Sequence, residues 1–151
     1  MYYWKTHDLA SQIKAGDTSE EMKKNYYVAT SVIATAFMYL AIAGGTQDGI
    51  ATLAECILLI VVTVLGINVT FKTNGGNNGV NYISRVVMLS LPLLIKIVIF
   101  SFLGGIVIGI VAGASGEGSL ALSQWGVTIV SVLAQVLFFW RVNVHLCYIN
   151  T

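Results

Sequence analysis

The chain has 151 residues, of which 56% are hydrophobic and 10% charged, and a net charge of +1. Soluble domains carry about 25% charged residues, so the composition argues against a water-soluble globule and for a membrane protein in one domain, residues 1–151. The near-neutral balance leaves no electrostatic footprint for nucleic acid.

Residues 1–25 are polar and of mixed charge, a tail expected in the cytosol. Leu9 and Ile13 stand four apart behind Trp4. That spacing suits a short amphipathic helix lying on the membrane surface. The alternative is a frayed tail with a few aromatics. Gly16 breaks the pattern. Thr18 with Glu21 then fits a capping box at the start of a new helix.

The first span is expected over residues 26–43. Tyr26 and Tyr27 would sit at the interface, where aromatic belts lie. Ser31, Ala34, Thr35 and Ala36 make this segment rich in small residues, which suits close helix packing. Residues 44–49 form a tight polar turn rich in glycine. The second span covers residues 50–71, apolar apart from Glu55 and a few threonines. Thr52, Thr63 and Thr70 fall on nearly one face, because eleven residues make about three helical turns. That stripe is expected to face protein rather than lipid.

Residues 72–85 form a loop dominated by glycine and asparagine, as in turns that need positive φ. It does not match a phosphate-binding loop. The third span, residues 86–113, holds a single charge, Lys96, over more than the roughly 20 residues that a bilayer core requires. Pro92 lies four residues earlier and loosens the backbone bonding of the preceding turn, so it is the candidate hinge or packing kink. Gly105, Gly109 and Gly113 follow at four-residue spacing. Such a row, a glycine zipper, lets another helix approach closely. That helix can belong to this chain or to a second one.

The fourth span is expected over residues 124–142. Gln124, Thr128, Ser131 and Gln135 advance by four and three residues and so share one face. A lipid-facing glutamine is unfavourable, so the face should turn into the bundle. Trp125 and Trp140 bracket the span as interfacial anchors. The remaining residues to Thr151 are semi-apolar and can prolong the helix.

Of the eight lysines and arginines, all but Lys96 lie in the amino-terminal tail, around the second loop or after the fourth span. The positive-inside rule then places both termini in the cytosol. The expected fold is all-α, a compact bundle of four transmembrane helices.

Glu55, Lys96 and Gln135 are the candidates for a polar centre, because ionisable residues inside membranes are functional by default. In the simpler reading, Glu55 reaches the outer headgroups, Lys96 snorkels to the inner ones and the polar stripes merely pack. Arg85 and Lys96 also align along one face, eleven residues apart. No catalytic set and no metal or cofactor site can be assembled. His7 and His145 read as surface histidines, and Cys56 and Cys147 lie too far apart for a disulfide.

Two function classes are favoured over a third, a membrane enzyme acting on lipid, which the missing catalytic set disfavours. The first is a multi-pass protein of a plasma membrane or bacterial inner membrane. It acts by helix–helix interaction with another membrane protein or with itself, as an accessory subunit or immunity-type protein, and without enzyme activity. The second is a small oligomeric ion or solute transporter or channel that uses Glu55 and Lys96.

Overall fold

The computed structural model describes residues 4–19, 21–23, 25–30, 33–34, 49–114 and 119–151. The described residues are helical apart from short connections. Helix α1 spans Thr6–Lys14, α2 spans Gly49–Thr73, α3 spans Tyr82–Ala114 and α4 spans Ser119–Asn150. A single 3-10 turn, Gly76–Asn78, lies between α2 and α3. Residues 21–23, 25–30 and 33–34 are also helical. Most of the expected first span, residues 26–43, lies outside the described residues.

Among the described residues, three helices are long and apolar enough to cross a membrane, over Ile50–Thr73, Tyr82–Ala114 and Ser123–Asn150. Their outer surfaces are apolar as well. Leu53 and Leu65 on α2, and Phe102 and Ile110 on α3, are each at least 60% exposed. Contiguous apolar surface of this kind is rare on a soluble monomer. It fits a chain whose solvent is lipid.

Helix α4 is central. Both α2 and α3 pack along it. Glycines set the closest approaches. A Cβ on Gly104 would touch Val130 at 3.1 Å, and one on Gly126 would touch Ile108 at 3.0 Å. On the other seam, a Cβ on Gly66 would collide with the Phe139 ring. Backbones that approach this closely gain van der Waals contact, the main source of helix association in lipid. The row singled out in the sequence, Gly105, Gly109 and Gly113, is offset from these contacts. A Cβ at any of the three would meet none of the described residues within 4 Å.

Helix α1 does form, but it does not lie alone on a surface. Thr6, Leu9, Ala10 and Ile13 are buried, and they share one face by helical spacing. That face packs on the loop-proximal half of α3 and the carboxy-terminal half of α4. Met88, Leu89, Leu91, Val142 and Leu146 complete this core, with Tyr26 joining from the following segment. Gly16 ends α1 at φ +73. Its N–H bonds the Ile13 carbonyl at 3.1 Å, and the Asp17 N–H bonds Gln12 at 3.2 Å. This is the Schellman pattern, in which a left-handed glycine satisfies the last carbonyls. The next cap differs from expectation by one residue: Ser19, not Thr18, accepts the Met22 N–H, at 3.1 Å.

Helix α3 has 33 residues, roughly 50 Å at helical rise, against about 30 Å of hydrocarbon. Helix α1 packs over the turns of α3 from Met88 to Leu93. Pro92 sits among them, fully buried within an unbroken helix.

Candidate functional site

The ends of three helices are tied together beside the second loop. Arg85 donates to Asn74 Oδ1 at 2.9 Å and to Asn150 Oδ1 at 2.8 Å. Asn150 Nδ2 donates in turn to the Thr73 carbonyl at 2.8 Å. Tyr82 adds a 2.8 Å hydroxyl contact to Thr70 and an edge-on contact to Phe71. Gly75 turns the chain here at φ +100, a conformation open to glycine at little cost. Arg85 is therefore a structural clasp between α2, α3 and α4.

Lys96 has a different partner. Its Nζ donates to Thr6 Oγ1 on α1 at 2.9 Å, and it lies 5.6 Å from the centre of the Trp4 ring. An ammonium over an aromatic face is attracted by the ring quadrupole. A cavity of about 370 Å3 opens beside it, lined by His7, Lys96, Arg141 and His145, with Trp140 at one edge. Among the described residues, no carboxylate lines this cavity. The nearest acid on α1, Asp8, faces Lys5 at 3.8 Å on the exposed side.

Glu55 and Gln135 lie on the other seam, between α2 and α4. Gln135 Nε2 donates to Thr63 Oγ1 at 3.0 Å, and the Thr63 hydroxyl donates in turn to the Leu59 carbonyl at 2.7 Å. Glu55 borders a small cleft of about 140 Å3 with Thr52, Gln124 and Thr128. The two polar stripes seen in the sequence thus face one another. No hydrogen bond or ion pair joins Glu55, Lys96 and Gln135 to each other. The Lys96 cavity and the Glu55 cleft share no lining residue.

Sequence reasoning missed Thr6, His7, Arg141 and His145 as neighbours of Lys96. One local signal was available: Arg141 and His145 are four apart, so they stand on one face of α4. Nothing local connects them to Thr6 or Lys96. Cys56 and Cys147 are both free.

Comparison with known proteins finds no matching family model, no matching curated relative and no matching solved structure.

Proposed function

We propose that the chain is a four-span membrane protein, with both termini cytosolic, that works by helix–helix association in the bilayer and carries out no catalysis. The membrane is a plasma membrane or a bacterial inner membrane. Tyr26 is buried, and Ala29 and Ile33 pack against the core, which supports a further helix over residues 26–43. The distribution of lysine and arginine supports the orientation.

The observation that carries the association reading is the open glycine row. Gly105, Gly109 and Gly113 form a shallow track on α3 that nothing in the described residues fills. Elsewhere this chain uses glycine to bring helices together, at Gly66, Gly104 and Gly126. The open row is the same device, left uncovered by the described residues. Transport through Glu55 and Lys96 has less support, because the two residues border separate cavities.

The test is crosslinking from position 109. Gly109→Cys, in a chain lacking Cys56 and Cys147, should crosslink in native membranes to a second copy or to one other membrane protein. Gly109→Leu should remove that partner from affinity capture. Unchanged capture with Gly109→Leu would sink the reading.

A further inference from the structure

The Lys96 cavity is the most unusual feature of the molecule. It brings two fixed cations and two imidazoles from three helices around one space. His7 comes from α1, Lys96 from α3, and Arg141 and His145 from α4. Gathering like charges without a counter-ion is costly at low dielectric. Lys96 uses one donor on Thr6, and an ammonium has three. Arg141 lies 5.4 Å from the Trp140 ring and makes no ion pair with a described residue. Both imidazoles offer a ring N–H in either protonation state. These donors line one space, and no carboxylate among the described residues meets them there.

The level of the cavity in the bilayer follows from helix register. Gly66 on α2 is level with Phe139 on α4, and Thr63 is level with Gln135. Trp140 and Arg141 are therefore level with residues near Asn68. From Ile50 down to Asn68 is roughly 27 Å at helical rise, close to the ~30 Å thickness of the hydrocarbon core. The cavity thus opens at the membrane boundary on the side of loop 74–81. Trp140 is 56% exposed there, at the depth where tryptophans anchor to headgroups. On the bilayer side the walls become apolar, through Ile97, Phe100 and Leu137. Phe100 and Leu103 continue this surface outward, along the path of an acyl chain.

We propose that this cavity binds the phosphate group of an anionic phospholipid from the leaflet beside loop 74–81. Arg141 and Lys96 supply charge-assisted hydrogen bonds, His7 and His145 complete the ring of donors, and Ile97 and Phe100 carry the lipid tail. Basic pockets between transmembrane helices recognise headgroups in this way. The site is independent of the glycine row, so it stands or falls separately from the association reading.

The experiment uses the full chain in phosphatidylcholine nanodiscs containing a minor fraction of phosphatidylglycerol, with retained lipid counted by native mass spectrometry. One phosphatidylglycerol should be retained per chain. The double variant Lys96→Met and Arg141→Gln should weaken retention by at least about tenfold, since each charged hydrogen bond contributes on that scale. Arg141→Lys should restore part of it, and Lys72→Gln, which removes a charge outside the cavity, should change nothing. Circular dichroism and size exclusion establish that each variant is folded. Retention unchanged in a folded double variant overturns the proposal. A second arm adds inorganic phosphate to discs of phosphatidylcholine alone and follows tryptophan fluorescence. Saturable phosphate binding without phosphatidylglycerol retention would overturn the lipid source and assign the site to free phosphate.

Discussion

Lys96 Nζ and Thr6 Oγ1 lie 2.9 Å apart, although 90 positions separate them in the chain. This bond joins the amino-terminal helix to the longest helix of the bundle. It gives the one charge of the third apolar stretch a protein partner. The bond also fixes one wall of the cavity shared with His7, Arg141 and His145.

Thr6→Val keeps the side-chain shape and removes the acceptor. Thr6 is buried, 3% exposed, but Lys96 borders the open cavity, so water can take up its freed donor. The expected cost is that of the bond itself, about 1 kcal/mol, localised to α1 docking. Hydrogen exchange in residues 6–14 should accelerate while the amides of α2 keep their protection. Equal rates in the variant and the parent would show that the bond does not hold α1.

Glu55 and Lys96 should behave as independent residues. They border different cavities on opposite seams of α4. A double-mutant cycle of Glu55→Gln and Lys96→Met, read by thermal unfolding in detergent, should give a coupling below about 0.5 kcal/mol. A coupling above about 1 kcal/mol would require the two groups to meet, and would restore the polar-centre idea.

Glycine positions should divide into two classes. Gly66→Ala drives a methyl into the Phe139 ring, and overpacking of this kind costs about 1–3 kcal/mol. Gly109→Ala meets open space and should leave the unfolding temperature of the isolated chain unchanged or slightly raised, by helix propensity. If both lower it equally, the packing of α2 on α4 is not as described.

Arg85→Lys should weaken the clasp as much as a neutral residue does. A single nitrogen, Arg85 Nη1, donates to both Asn74 and Asn150, and the shorter, flexible lysine stem does not hold its ammonium at that point. Asn74 is 2% exposed, so its lost partner costs about 1–3 kcal/mol. Limited proteolysis in loop 74–81 measures this directly: cleavage should rise in Arg85→Lys, and parental resistance would count against the clasp.

Local features of the chain were readable where a single helix carries its own signal. Glycine and asparagine marked the loop that now holds Gly75 at φ +100 and Asn81 at φ 56. Gly16 marked the end of α1. Eleven-residue and four-residue spacings placed Thr63 and Gln135 on faces that the fold brings to 3.0 Å. The cap at Ser19 was missed by one residue because Thr18 and Ser19 offer the same hydroxyl, and backbone geometry alone chooses between them.

Composition and hydropathy were enough to define an all-helical chain with long apolar helices over the stretches now occupied by α2, α3 and α4. A bilayer imposes that outcome, since every backbone group must be satisfied within its own segment. Which faces touch could not be read in the same way. Lipid and protein interior are equally apolar, so hydropathy does not separate Gly104, packed on Val130, from Gly105, open on the next position. The docking of α1 and the gathering of His7, Lys96, Arg141 and His145 depend on contacts between distant segments. Three-dimensional packing alone sets those contacts, because no local periodicity encodes a neighbour 90 residues away.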